Sequence, residues 1–209
     1  MKIDYRSGGI FDANCYVVTF DKEAIVIDPC IDIQSIKKMI GNYHLSFIIL
    51  THGHFDHFCS LTALEKEVNV PIYLAKNAVN KLENAFYNCS ALVGNDMTVF
   101  LDHNLYHYVN DFEKIEIDGH IITFIHTKGH SDCSICILID NNMFSGDTLF
   151  KGSVGRCDLY SGNEAILRKS LANLKQYVLN NYHNKIDIYP GHGDKTNFEE
   201  ELINNPYLR

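Results

Sequence analysis

Residues 51–58, THGHFDHF, place three histidines and an aspartate within six positions, as His52, His54, Asp56 and His57. Imidazole nitrogens and carboxylate oxygens are common protein ligands of divalent transition metals. Four such groups packed together without a cation would be costly whenever the imidazoles become charged. The cluster therefore predicts a metal site, and it directly follows the apolar run FIIL.

The spacing within this cluster favours two metal ions over one. His52 and His54 are two positions apart, so in an extended segment their side chains point the same way. Asp56 and His57 follow where the chain is expected to turn into a helix, and they can face a different point. Each ion would then need further ligands from elsewhere in the chain.

Three other segments offer such ligands. His130 lies in TKGHSDCS, Asp147 in MFSGDTLF and His192 in IYPGHGDKT. Each follows an apolar run and sits beside glycine, where the backbone can turn tightly and approach a ligand closely. All three are therefore candidate ligands.

The sequence alternates between strand and helix patterns, and the elements that these patterns predict must position the candidate ligands. The predicted strands are rich in β-branched and apolar residues: CYVVTF, AIVID, SFIIL, IYLA, KIEID, HIITFIH, SICILID and KIDIY. A helix is predicted from the N-cap Asp32 to Gly41, and an amphipathic helix over 163–178 with Ile166 and Leu167 on its apolar stripe. Further helices are predicted in SLTALEKEVN, NAVNKLENAF and NFEEELI. The pattern predicts an α/β fold with two packed sheets and outer helices, in a single domain over 1–209.

Composition restricts the function classes. The 209 residues include 18 Lys and Arg against 26 Asp and Glu, a net charge of −8, so a nucleic-acid partner is not expected. No apolar segment approaches the length of a membrane span, and no membrane partner is expected. Seven irregularly spaced cysteines fit a reducing compartment, and we expect a cytoplasmic protein. The oligomeric state cannot be predicted.

These motifs together resemble the metallo-β-lactamase superfold of metallohydrolases. HGHFDH matches its H-x-H-x-D-H signature, the three later candidates match its later ligands in order and context, and ANCYVVTF and AIVIDPC match near the N-terminus. The resemblance implies a four-layer αβ/βα sandwich, with two mixed β-sheets flanked by helices and the site at one edge of both sheets.

The resemblance also implies a role for each ligand. One metal would be held by His52, His54 and His130, and the second by Asp56, His57 and His192, with Asp147 bridging them. Zinc is the expected metal, and iron or manganese is compatible with these ligand types. Two ions would supply a bridging hydroxide as the nucleophile, and Asp56, as a catalytic residue, could orient it and accept its proton during the attack on the substrate.

The segment after Asp147 resembles the glyoxalase II-like hydrolases. In GDTLFKGSVGRCDLYSG, Arg156 occupies the position of a basic residue that binds the thiol portion of a glutathione thioester, although it could instead pair with Asp158. The implied small-molecule substrate is S-lactoylglutathione or a related thiol ester. The C-terminal helical domain typical of that group is not expected after NNPYLR, which leaves another thiol carrier open.

Other differences and alternatives bear on the reaction. Cys59 stands where small residues usually follow the histidine motif, and Asp132 where glycine is common; we expect Cys59 to be a packing residue.

A persulfide dioxygenase with one iron shares the fold and the GR-x-D element, but YPGHGDKT favours a hydrolase. A hydrolase of another ester or phosphodiester, or a non-catalytic module, is the remaining alternative.

Overall fold

Short apolar runs form two six-stranded sheets in the computed structural model, which describes residues 1–183 and 185–209. The first sheet contains, in spatial order, β1 (Lys2–Gly8), β2 (Ala13–Thr19), β3 (Glu23–Ile27), β4 (His44–Ile49), β5 (Ile72–Leu74) and β6 (Tyr106–Tyr108). The second begins with β7 (Lys114–Ile117), β8 (His120–His126), β9 (Ile135–Ile139) and β10 (Asn142–Gly146). A ribbon follows, made of β11 (Leu149–Phe150) and β12 (Ser153–Val154), before β13 (Asp187–Pro190) and β14 (Thr196–Asn197) complete the second sheet. Its spatial order is β14-β13-β10-β9-β8-β7.

Among the described residues, five α-helices flank the sheets. They are α1 (Ile33–Ile40), α2 (Leu61–Val68), α3 (Ala78–Leu82), α4 (Glu164–Tyr182) and α5 (Phe198–Asn204). The first three pack into one apolar cluster with the first sheet, and α4 and α5 pack into a second cluster on the other sheet. The predicted α/β fold with mixed sheets flanked by helices is confirmed. In the part of the chain that the structure describes, none of these helices is both long and apolar enough to span a bilayer.

Strand β9 separates the two apolar clusters. Ile135, Ile137 and Ile139 face the cluster shared with the first sheet, whereas Cys136 and Leu138 face the cluster that contains α4. A strand covered on both faces has to be apolar at every position. This explains the uninterrupted run ICILI and confirms the prediction of a strand here.

The helix predicted to start at Asp32 is confirmed as α1. Asp32 Oδ1 accepts a hydrogen bond of 2.9 Å from the backbone N–H of Ser35. Gly41 ends the helix with a φ of 62°, a conformation that glycine adopts without steric cost.

The apolar face of α4 differs from the prediction at one residue. Leu167, Leu171, Leu174 and Val178 are buried as expected, but Ile166 is 46% exposed. At 3.6 residues per turn, Ile166 lies about 100° around the helix from Leu167, which places it on the flank of the stripe. Its assignment to the buried face was wrong.

Several short or exposed strands and one helix end differ from the predictions. β1 and β6 were not predicted, because β1 is a largely exposed edge strand without an apolar pattern and β6 has only three residues. The two-residue strands β11, β12 and β14 were not predicted either, because they are too short to show a pattern. The helix predicted over NAVNKLENAF ends at Leu82. Asn84 Oδ1 accepts hydrogen bonds from the backbone N–H groups of Phe86 and Tyr87, and this local turn competes with a helix.

Candidate metal centre

The predicted site residues gather at the carboxyl ends of strands from both sheets. β3 pairs in parallel with β4, so Asp28 and His52 leave the first sheet at the same edge. β10 pairs in parallel with β13, which brings Asp147 beside His192. His130 comes from the loop between β8 and β9.

A single 3-10 turn over Phe55–His57 divides the opening histidine motif. His54 is still extended, with a φ of −81° and a ψ of 142°, whereas Asp56 and His57 lie within the turn. The two halves of the motif therefore face two points, as their spacing indicated.

Six of the candidate ligands form two triplets that could each hold a metal ion, and Asp147 forms a third such group with His52 and His57. The first triplet is His52, His54 and His130, and the second is Asp56, His57 and His192; within each, the ligand atoms lie within 4.8 Å of one another. These are the groupings that the family resemblance implied. Every predicted ligand lies in this cluster, and its role in binding metal stays a prediction.

Asp147 lies between the two triplets. Its Oδ1 is 3.3 Å from His57 Nε2, and its Oδ2 is 3.5 Å from His130 Nε2 and 3.6 Å from His192 Nε2. One carboxylate thus reaches nitrogens of both groups, the position required of a bridging ligand.

Hydrogen bonds on the far side of two imidazoles fix their tautomers in the second triplet. The Nδ1–H of His57 donates to Asp28 at 2.8 Å, and the Nδ1–H of His192 donates to the carbonyl of Phe11 at 3.0 Å. As neutral imidazoles, both residues would present lone pairs at Nε2, and these two atoms lie only 3.3 Å apart.

The first triplet repeats this arrangement. The Nδ1–H of His130 donates to the carbonyl of Arg156 at 2.7 Å. Thr51 donates its only hydroxyl hydrogen to Asp28, so its oxygen accepts from the Nδ1–H of His52 at 3.1 Å. The Nε2 atoms of His52 and His130 again face each other, at 3.3 Å.

This donor set fits divalent cations. Two lone pairs at 3.3 Å repel unless a cation lies between them, and two nitrogen ligands of one tetrahedral zinc ion lie about 3.4 Å apart. Among the described residues, Asp147 Oδ1 is a buried side-chain atom of this cluster without a hydrogen-bond partner. Such an orphaned polar atom is costly in a protein interior, and a bound ion accounts for it.

Burial and neighbouring charges give the imidazoles different pKa values. Burial lowers the pKa of His52 well below its usual value, and burial together with His130 lowers that of His54 to about 3. Burial also acts to lower the pKa of His57, but Asp147, Asp56 and Asp28 raise it well above its usual value. The first triplet is therefore ready to bind as neutral imidazole, while the second has an excess of negative charge.

Asp28 is the functional residue that the sequence analysis missed. It accepts from Thr51 and from His57, and through Thr51 it also fixes the tautomer of His52. The available signal was an acidic residue at the end of AIVID, a predicted strand. The carbonyls of Phe11 and Arg156 gave no signal, because a backbone group carries no sequence identity.

Arg156 lies in the wall of a cavity of about 450 Å³ above the two triplets. Its guanidinium group donates two hydrogen bonds to Asp158, at 2.6 and 2.7 Å. The ion pair considered from the sequence is therefore present. A role for Arg156 in substrate binding stays a prediction.

Two residues that differ from the usual motifs have structural contacts. The Sγ of Cys59 lies 3.0 Å from the carbonyl of Cys30, and Cys59 packs against the main apolar cluster without lining the cavity. Asp132 pairs with the buried Lys81 and accepts from Asn77 and Ser161. It thereby ties the loop of His130 to α3.

Gly191 provides a test of the ligand arrangement. A Cβ at this position would overlap Asp147 Oδ1 and lie 2.8 Å from His57 Cε1. We expect Gly191→Ala to displace these side chains and weaken metal binding at least about 10-fold, the size of effect typical when the surroundings of a ligand change. Calorimetric metal titration would measure this.

Gly193→Ala is the matched control. Gly193 has a φ of 74° and nothing within 4 Å of an added Cβ, so this variant strains the same loop without contacting the ligands. Equal loss of affinity in both variants would contradict the steric explanation.

Known proteins with similar sequences and folds identify the family. A model of the metallo-beta-lactamase superfamily matches residues 8–192. The probable metallo-hydrolase YqgX of Bacillus subtilis is 30% identical over 209 residues, which cover 96% of this chain and 94% of the relative.

Two crystal structures are similar over almost the whole chain. The B3 metallo-beta-lactamase BLEG-1 has a TM-score of 0.87 at 28% identity, with 99% of both chains covered. TTHA1623, crystallised in a di-iron-bound form, has a TM-score of 0.83 at 26% identity and covers 98% of this chain and 100% of its own. Because the family model matches most of the sequence and the fold agrees along its length, the chain belongs to the metallo-beta-lactamase superfamily.

Proposed function

We propose that this protein is a metal-dependent hydrolase that cleaves S-lactoylglutathione or a related thiol ester. The observation that carries the proposal is the pair of ligand triplets with Asp147 between them, at the floor of a cavity of about 450 Å³. A cavity of this size suits a small molecule. The description of the Bacillus subtilis relative as a probable metallo-hydrolase supports a hydrolytic reaction.

The metals proposed are two divalent ions. His52, His54 and His130 would hold one, Asp56, His57 and His192 the other, and Asp147 would contact both. The ligand types suit zinc, iron or manganese, and the di-iron form of TTHA1623 supports iron alongside zinc. When bound, such ions lower the pKa of water and polarise a carbonyl oxygen.

Asp56 is the side chain best placed to handle a proton. Its Oδ2 lies 3.3 Å from His192 Nε2, and the residue lines the cavity. Burial acts to raise its pKa, but His57 and His192 lower it, so the carboxylate stays ionised. It can therefore accept a hydrogen bond from a nucleophilic water and orient it toward the substrate.

The rest of the cavity wall favours a substrate with a good leaving group. Besides the predicted ligands, the described residues of the wall include two titratable groups, Cys89 and Arg156. Burial raises the pKa of Cys89, and Asp158 raises that of Arg156, so neither is an effective acid near neutral pH. A thiol with a pKa of about 8.5 leaves as thiolate without such help, unlike an alkoxide.

The test is a substrate panel on protein of measured metal content. We expect S-lactoylglutathione or a neutral thioester to release thiol, chelation to abolish the activity, and added zinc, iron or manganese to restore it. Thiol release is followed with a chromogenic disulfide, and lactones and phosphodiesters are assayed in parallel.

Oxygen uptake with glutathione persulfide separates hydrolysis from the dioxygenase alternative. The proposal predicts no uptake above that of heat-inactivated protein. Rapid uptake without thioester cleavage would overturn it, as would cleavage of phosphodiesters alone.

A further inference from the structure

We propose that the site selects thioesters whose groups beside the scissile bond are apolar and uncharged, in preference to thioesters of glutathione. This inference rests on the proposed thioesterase function and narrows its substrate class. It follows from three features of the cavity wall: its apolar side chains, their exposure to solvent and, among its described residues, the absence of a Lys or Arg side chain outside an ion pair.

Apolar side chains from separate segments form most of the wall. Phe11 comes from the β1–β2 loop, Phe55 from the turn after β4, and Phe150 from β11. The remaining apolar residues of the wall are Leu92, Val93 and Leu159. Convergence of such distant segments on the space above the ligands makes this an apolar binding surface.

Several of these side chains are exposed at the cavity mouth. Phe11 is 49% exposed, Leu92 63% and Val93 44%. A single exposed apolar residue needs no explanation, but several around one cavity indicate a surface that buries apolar groups of a ligand.

The apolar wall is fixed to the candidate metal centre. The ring of Phe11 packs edge-on against Phe55 with centroids 5.8 Å apart, while its carbonyl accepts from the Nδ1–H of His192. The ring of Phe150 lies edge-on to His192 with centroids 6.1 Å apart. An apolar group held here would lie directly beside the reacting bond.

The wall offers little to an anionic carrier. Arg156 is the one Lys or Arg among its described residues, and both carboxylate oxygens of Asp158 already accept from the guanidinium group. Glutathione carries two carboxylates, which would lose water without gaining a free cation. A neutral apolar thiol or acyl group avoids this cost.

Two substrate comparisons test the inference. S-hexanoyl-N-acetylcysteamine and S-hexanoylglutathione share an acyl group and differ in the charge of the carrier; we expect kcat/KM to be at least about 10-fold higher for the neutral ester. S-acetyl-N-acetylcysteamine tests the apolar contact, and we expect it to be at least about 10-fold poorer than the hexanoyl ester.

Substitutions at Leu92 test the role of charge in the wall. Leu92→Arg should shift the ratio of kcat/KM values toward the glutathione ester, whereas Leu92→Gln should weaken the hexanoyl preference without that shift. Ile203→Ala is the matched control, because Ile203 is 64% exposed on α5 outside the cavity. This variant should leave unchanged both the ratio of kcat/KM between the neutral and the glutathione hexanoyl esters and the ratio between the hexanoyl and the acetyl esters.

The outcomes separate the two proposals. If neither S-lactoylglutathione nor any of these three thioesters were cleaved, the proposed function would be contradicted. Cleavage of S-lactoylglutathione alone would overturn the present inference and leave the proposed function standing. Cleavage with a preference for S-hexanoylglutathione, or an unchanged ratio in Leu92→Arg, would overturn the present inference alone. Calorimetric binding of the thioethers S-hexyl-N-acetylcysteamine and S-hexylglutathione gives a second readout, in which tighter binding of the glutathione derivative also contradicts it.

Discussion

Replacement of Asp147 by alanine is expected to lower kcat/KM by about 10³-fold or more and to reduce the bound metal together with the activity. The carboxylate approaches both triplets, at 3.3 Å from His57 Nε2 and 3.5 Å from His130 Nε2. A metal centre supplies several kcal/mol of transition-state stabilisation, and each 1.36 kcal/mol corresponds to a factor of about 10 in rate. Elemental analysis and thioester turnover on the same samples measure both effects.

Two further variants define the cause of such a loss. Asp147→Asn keeps the shape of the side chain but removes its charge, and we expect it to lose metal nearly as strongly. Asp187→Ala removes an aspartate that pairs with Lys195 at the surface, 2.7 Å away, and such exposed pairs contribute little. Full turnover of Asp147→Ala with one metal or none would rule out the binuclear proposal.

Asp28→Asn is expected to weaken metal binding by about 10- to 100-fold without removing a ligand. Asp28 accepts from His57 directly and from Thr51, whose oxygen orients His52, so one carboxylate fixes an imidazole in each triplet. An amide at this position presents a donor where an acceptor is needed. The metal-free protein should also lose about 1–3 kcal/mol in the free energy of unfolding, because buried hydrogen-bonding groups lose their partner.

Asp118→Asn is a close structural control for this variant. Both aspartates have a positive φ, 51° for Asp28 and 47° for Asp118, and both accept from a backbone N–H group. Asp118 is exposed and far from the ligands. Its replacement should therefore leave the affinity for both proposed metal ions unchanged. Metal titration and chemical unfolding of both variants would decide, and unchanged affinity in Asp28→Asn would show that the tautomers do not depend on this carboxylate.

Local sequence signals predicted the elements nearest the site well. Asp32 and Gly41 define the ends of α1 through their own hydrogen bond and backbone conformation, and ICILI reports burial on both faces of β9. Because such signals depend on neighbouring residues in the sequence, they can be recognised without knowledge of the tertiary fold. Where the pattern was weak, as in the exposed edge strand β1, or where a flanking residue such as Ile166 blurred the stripe of α4, the prediction failed.

The sequence by itself determined which side chains could bind metal, since H-x-H-x-D-H and the three later glycine-flanked residues carry their chemistry in residue type and spacing. Only the tertiary structure decided how they combine. Parallel pairing of β3 with β4 brought Asp28 behind His57, and the backbone carbonyls of Phe11 and Arg156 fixed the Nδ1 atoms of His192 and His130. These contacts join residues far apart in the chain, and backbone groups have no residue identity, so no local pattern records them.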